Sequence, residues 1–429
     1  MTLLRLNHAW REAILTSLVL ILVTGCGESI PGPSPFEIEK RPWWNLHGDK
    51  IRAIDDSAGY DEGARSIRGY SNRQRTRRDL HLVVRDHMLS PTVLREYTKK
   101  SEIGFKITVC ESAEEIRRLI RDDSSQVDLA LVSARLVEEF INSNELERLD
   151  HSLLKHLGGL EWPEPVGKFF TRDLPFDRGN KYAVPYFVGN EGIAYNHAVV
   201  TEKIRSFEAF LHPQSLPTDV AKNVQGRMVL LDDDRSVISA ALLSLGQNPN
   251  TTNRAALERA QQVLMQTRPF LFGHGTTNFD AFERVRLAYR MAKGEVVLAQ
   301  ATSGDAALAM RLNSDIEFVV PNEGSILIID SFVIPKGAAQ RGKKRLAEEF
   351  VDFLLNPVVA GTIVNFSHFA STSQPAKTFV GLNILKGPAY KFPEREQSRY
   401  IMGVMDPSTR ELQHRIFGAL TNSVFSDAK

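Results

Sequence analysis

The chain has 429 residues, 42% hydrophobic and 24% charged, which supplies large cores and a soluble surface for two or three domains or lobes. Its 53 basic and 52 acidic side chains leave a formal charge of +1, so no field of one sign covers the molecule and bulk nucleic-acid binding is disfavoured. Two cysteines exclude a disulfide scaffold and a cysteine-rich metal site.

The N-terminus reads as a targeting segment. Arg5 and Arg11 give a basic start, and the apolar run Ala13 to Val23 is far shorter than the roughly 20 residues that span a bilayer. Val23-Thr24-Gly25-Cys26 follows at once and resembles a bacterial lipobox, in which cleavage precedes Cys26 and the cysteine is acylated. A plain signal anchor with an incidental cysteine is the alternative. The expected division is a lipoprotein signal peptide over 1–25 and a tether with a basic arm over 26–79. Ser29 to Pro35 (SIPGPSP) is linker-like in composition. The cluster Arg65, Arg68, Arg73, Arg75, Arg77 and Arg78 suits either anionic lipid headgroups or a solvated, partly disordered arm.

A regular core begins near Leu80. Leu80-His81-Leu82-Val83-Val84 reads as a buried strand, followed by a helix over Thr92 to Lys100, a strand over Phe105 to Val109 and a helix over Ala113 to Arg121. Cys110 ends the apolar alternation before it and reads as an inert core residue. A strand over Val127 to Val132 and a helix over Leu136 to Asn142 complete the first series. Strands alternating with helices predict βαβ units and a parallel sheet. The second half repeats the habit, with a strand over Arg227 to Leu231 and a helix over Ser236 to Leu245. Asn253 to Gln266 is amphipathic, with Ala256, Leu257, Ala260, Val263 and Leu264 on one face. Short strands follow at Val296 to Ala299 and Glu317 to Val320. Leu346, Phe350, Phe353 and Leu354 mark another helix, which Asn356-Pro357 stops.

No nucleophile elbow, Walker loop, H-E-x-x-H or G-x-G-x-x-G occurs, so an enzyme is unsupported and no catalytic residue or cofactor is expected. The 11 histidines show no metal-ligand spacing, and Gly273-His274-Gly275 reads as a turn. Two carboxylate positions stand out. Asp232, Asp233 and Asp234 end one strand and open the next helix, a junction that faces the ligand crevice of an α/β sheet; helix capping explains at least one of them. Asp330 interrupts the apolar run Ser325 to Pro335, so it must meet a cation, donors or a wet cleft. A structural ion pair is the plain alternative.

Lys181 to Asn196 (KYAVPYFVGNEGIAYN) resembles the lobe-crossing segment of periplasmic polyamine-binding proteins, the spermidine/putrescine receptors of ABC importers. Asp128 to Ser133, Leu231 to Gly246, Asn250-Thr251-Thr252, Gly294-Glu295-Val296, Ile329 to Pro335 and Phe353 to Pro357 recur in the family's order, so the similarity spans roughly Leu80 to Lys377. The resemblance implies an α/β, two-lobed periplasmic-binding-protein fold of the second type, with an interlobe ligand cleft and crossing strands as hinge. Lobe 1 would comprise 80–188 plus 329–374, and lobe 2 would comprise 189–328 plus 375–429. It also implies a monomeric, extracytoplasmic receptor, held on a bacterial membrane through Cys26, with ABC permease subunits as partners. A ligand sensor or non-transport lipoprotein on the same fold is the alternative.

By the same resemblance Asp233 and Asp330 match two ammonium-binding aspartates, Ser133 a polar contact and Phe369 an aromatic wall. The other walls depart. Arg85, Thr302 and Ile328 stand where the family has tryptophans, Arg135 where it has a tyrosine, and Ser236 where it has a glutamate. Two arginines oppose an all-positive ligand, whereas an amino acid or aminophosphonate would suit aspartates at one end and arginines at the other. Internal Arg–Asp pairing, with a neutral ligand or none, is the alternative.

Overall fold

The computed structural model describes residues 78–422 apart from 86, 111, 161–172, 273–286 and 395–398. The signal segment, Cys26, the tether, the arm before Arg78 and Gly273-His274-Gly275 lie outside the described residues.

The first series of elements follows the alternation in the sequence. Strand β1 (Leu80–Val84) is buried at every position. Helix α1 (Pro91–Ser101) opens on a proline, whose missing N–H is not needed there. Strand β2 (Phe105–Val109) leads through the fully buried Cys110 to α2 (Ala113–Arg121). Ser112 caps α2 by accepting from the Glu115 N–H, and the order Glu114, Glu115 then Arg118, Arg121 complements the helix dipole. Strand β3 (Leu129–Ser133) runs directly into α3 (Ala134–Asn142).

The fourteen-residue strand β4 (Ala183–Asn196) is buried throughout. After it come α4 (Phe207–Leu211), α5 (Thr218–Val224), β5 (Met228–Val229), α6 (Asp234–Ser244), α7 (Arg254–Thr267) and α8 (Leu287–Ala292). They are followed by β6 (Leu298–Thr302), α9 (Ser303–Leu312), β7 (Ile316–Val319) and β8 (Ser325–Val333). Then α10 (Lys344–Leu355) ends where the Asn-Pro pair predicts, yet Pro357 opens a new helix, α11 (Pro357–Ser367), bent away by 77°. Proline is suited to a first turn, and Asn356 caps it by accepting from the Val358 N–H. The chain closes with β9 (Ala370–Ser371), α12 (Leu382–Leu385), β10 (Arg399–Tyr400) and α13 (Pro407–Asn422).

The strand order is β2-β1-β3-β8-β4-β6-β5, with β10 beside β8 and with β7 and β9 beside β4. The expected parallel pairing holds for β1 with β2 and β3, and for β5 with β6. The sheet as a whole is mixed, because β8 runs antiparallel to both β3 and β4, and β4 runs antiparallel to β6 and β7. Strand β4 changes partner midway: Ala183 to Asn190 pair with β8, and Glu191 to Tyr195 pair with β6.

Separate cores lie on either side of this change. Val83, Val132, Val137, Phe140, Ile329 and Val333 belong to one, against which Tyr390 and Ile401 pack. Tyr195, Phe210, Leu230, Ile238, Leu257 and Leu298 belong to another, which the C-terminal helix joins through Ile416 and Leu420. Residues 401–406 run between them, where the Val404 N–H donates to Glu138 of α3 and the Gly403 N–H to Asn250 ahead of α7.

Candidate functional site

A crevice of about 750 Å³ opens where β4 changes partner. It is lined by Arg85, Ser133, Arg135, Asp233, Ser236, Thr302, Ile328 and Asp330. Thus eight of the nine residues expected at a ligand site share one cavity, although they come from five separate stretches of chain. Strand pairing explains part of this. Ser133 lies opposite Asp330, Ile328 opposite Gly189, and Glu191 opposite Thr302. Directly paired residues on neighbouring strands share a face.

Phe369 is not among the lining residues. Its ring packs on Phe187 and lies over Gly189 and Gly304, and a Cβ at Gly304 would run into it. The side chain therefore fills the space under the crossing strand.

The two aspartates are already partnered. Asp330 is 2% exposed and is ion-paired to Arg85, which follows β1. Asp233 caps α6 by accepting from the Ser236 N–H at 2.9 Å, and its second oxygen lies 3.6 Å from the Arg135 guanidinium. The helix cap and the carboxylate aligned with an ammonium contact are thus one residue. The Arg135–Asp233 pair links α3 to α6, across the crevice.

The first turn of α6 concentrates charge out of water. Burial, and next the neighbouring Asp233, hold the Asp234 carboxyl above its ordinary pKa. Burial pushes the adjacent Arg235 down to about 10. Arg235 reaches Asn250 at 2.9 Å, Gln413 of α13 at 3.2 Å and the Met402 sulfur at 3.5 Å. The C-terminal segment thereby forms part of the crevice wall, and Met402, Val404 and Met405 line it.

Two expected site residues hold structural bonds. Thr302 caps α9, donating to the Asp305 carboxylate at 2.6 Å and accepting from its N–H at 3.2 Å. Ser236 donates to Glu191 at 2.6 Å. Glu191 also lines the crevice, and sequence reasoning overlooked it. Its signal was available: like Asp330, it is a carboxylate inside an otherwise apolar run.

The family model for bacterial extracellular solute-binding proteins matches residues 92–374. The spermidine/putrescine-binding periplasmic protein 1 of Haemophilus influenzae is 28% identical over 300 residues, covering 69% of this chain and 76% of that one. Among solved structures, a putative spermidine/putrescine ABC transporter protein of Listeria monocytogenes aligns with a TM-score of 0.68 at 25% identity, over 80% of this chain and 99% of that one. A lipoprotein of Treponema pallidum aligns with a TM-score of 0.66 at 23% identity, over 80% and 99%.

Proposed function

Since the chain belongs to the bacterial extracellular solute-binding proteins, we propose that it is the receptor of an ABC importer and that its crevice takes a small solute carrying an acid group together with an amine. The relatives named for spermidine and putrescine support the importer role and the amine. The acid group is where this chain departs from them.

The observation that carries the reading is that Arg85 and Arg135 line the crevice, at positions where the resemblance has aromatic walls; their pairing with Asp330 and Asp233 is also the arrangement expected of a site for a neutral solute. A polyamine would have to displace two guanidinium groups from their carboxylates and then lie beside them. Like charges 4 Å apart repel by about 4 kcal/mol at an effective dielectric near 20. A ligand carboxylate or phosphonate has no such conflict. A guanidinium has five N–H donors, so each arginine can keep its aspartate and hold an acid group as well. The amino end of α3 adds to the attraction. Ser133 makes no capping hydrogen bond there, which leaves N–H groups of the first turn for an anion. In this reading the parts of the molecule on either side of the β4 partner change close on the solute as lobes.

Calorimetry with γ-aminobutyrate, butyrate and putrescine separates the possibilities, because the three share a four-carbon chain. γ-Aminobutyrate is expected to bind at least tenfold more tightly than putrescine, and Arg135→Ala to remove most of that advantage. Putrescine binding more tightly than γ-aminobutyrate, with both Arg85→Ala and Arg135→Ala keeping or improving it, would reverse the assignment.

The reading includes a lipid anchor at Cys26, supported by the lipobox-like Val23-Thr24-Gly25-Cys26. A single acyl chain holds weakly, while several hold durably. Cys26→Ser is expected to abolish metabolic labelling with palmitate and to leave the precursor uncleaved. Membrane attachment that persists without any lipid on residue 26 would refute it.

A further inference from the structure

We propose that Arg235 is a positioning residue for the solute site: it ties residues 401–406 to α6, and that strap, held on its other side by α3, fixes how far apart the two walls of the crevice stand. The inference rests on the crevice being the solute site.

The strap touches the two walls in turn. Ile401 packs on the core that contains Phe140 and Ile329. The Met402 sulfur accepts from the Arg235 guanidinium at 3.5 Å and from the Ser239 hydroxyl of α6 at 3.6 Å. The Gly403 N–H donates to the Asn250 Oδ1 at 3.2 Å, and the Asn250 Nδ2 donates to the Ile401 carbonyl at 2.8 Å. The Val404 N–H then donates to Glu138 of α3 at 3.0 Å. Asp406 accepts the Thr409 N–H at 2.9 Å in the first turn of α13, which joins the other core through Ile416 and Leu420.

Arg235 organises the α6 side of this passage. It is buried, and its guanidinium donates to Asn250 ahead of α7 at 2.9 Å and to Gln413 of α13 at 3.2 Å as well as to Met402. A planar fork with five N–H donors can serve three segments at once, which the point charge of a lysine cannot.

Helices α3 and α6 are therefore bridged twice. Arg135 meets Asp233 directly, and Glu138, one turn further along α3, meets Arg235 through the strap. The strap also brings Met402, Val404 and Met405 to the crevice, so its placement shapes the lining as well as the width. Glu138 does not line the crevice, and its side chain shares no hydrogen-bond partner with that of Arg235 among the described residues. An effect of Glu138 on solute binding, or on what Arg235 contributes, thus passes through the strap.

Melting curves and calorimetry on Arg235→Met, Glu138→Ala and the double variant test the assignment, in about 0.5 M salt to screen long-range charge effects. Each single variant is expected to lower Tm by roughly 2–3 °C. Releasing the strap at either side releases it altogether, so the double variant is expected to melt within about 1 °C of the lower single variant, whereas independent residues would give losses that add. With γ-aminobutyrate as the probe, both single variants are expected to weaken binding by roughly fivefold or more. Additive losses, a single variant that melts like the parent, or unchanged γ-aminobutyrate affinity in Glu138→Ala overturns the positioning role and leaves the crevice reading standing. If the unmodified protein does not bind γ-aminobutyrate, the proposed solute falls, and the melting cycle alone decides for or against the strap. If Arg235→Met fails to fold, Asn250→Ala, which frees the strap from the same side at a half-buried position, takes its place in the cycle with the same expected and overturning results.

Discussion

Replacing Asp330 by alanine is expected to lower the stability of the protein by about 3 kcal/mol, the low end of the cost of breaking a buried ion pair from one side. Arg85 keeps 19% of its side chain exposed, which lets water reach the stranded guanidinium and places the effect at that end of the range. For a domain larger than 200 residues this amounts to a fall in Tm of roughly 6 °C. Much of the cost is the uncompensated charge and not the lost attraction, so the double variant Arg85→Ala/Asp330→Ala should be more stable than Asp330→Ala alone. A double-mutant cycle on melting temperatures measures that coupling. A single variant as stable as the parent would mean that the pair contributes nothing.

Asp177→Ala is expected to be at least as damaging. Asp177 is 2% exposed, and its carboxylate accepts the N–H groups of Lys181 at 3.0 Å, Tyr182 at 3.1 Å and Ala183 at 2.9 Å. It thus fixes the backbone that enters β4. Each buried N–H left without an acceptor costs about 1–3 kcal/mol, so a total near 4 kcal/mol follows even if one of the three finds water. Asp177→Asn should be intermediate, because its amide keeps one acceptor and turns a donor toward the remaining N–H groups. Denaturant titration measures all three proteins. A loss below about 1 kcal/mol for the alanine variant would show that the segment re-forms its bonds without Asp177.

Much of the first part of the fold was legible, because its elements are local. Helix α2 occupies the residues that its pattern of charge and apolar spacing indicates, and β1, β2 and α3 fall within two residues of expectation. Strand β4 is different. From the residues alone it carries signals against a strand: Pro185, Gly189, Gly192 and the charged Glu191 inside fourteen residues. Two of them have a plain tertiary reason. Pro185 sits at a register shift against β8, where a missing N–H is tolerated. Gly192 lets β7 approach, since a Cβ there would meet the Val319 carbonyl and the Phe318 ring.

Asp330 was legible from the residues, because an aspartate inside an apolar run demands a partner, whereas Arg85, Arg135, Ser133, Ser236, Thr302 and Ile328 came from the resemblance, with Arg–Asp pairing stated only as an alternative. Which arginine meets which aspartate was not legible. Arg85 and Asp330 are separated by 245 positions, and no local period connects them. Glu191 carried the same signal as Asp330 and was passed over because it lay inside a segment read only for its resemblance. The polar wall formed by α13 and the segment before it lies beyond the region that the family match covers.

The pairing of β3 with β8 has a consequence for how the chain reaches this structure. Ser133 and Asp330 are partners roughly 200 residues apart, and β1 to β3 lack their antiparallel neighbour until β8 has been made. Strands β5, β6 and β7 and the second half of β4 need nothing outside residues 191–319 to pair with one another. Closing the long β3–β8 loop is entropically costly for a flexible chain, and the cost grows with loop length. If the intervening residues first collapse on their own core, the ends that must meet are already close. During vectorial synthesis or export the strands of the middle of the molecule can therefore be paired while the earlier strands wait, with an unpaired edge at β3 as the exposed and aggregation-prone surface of that interval.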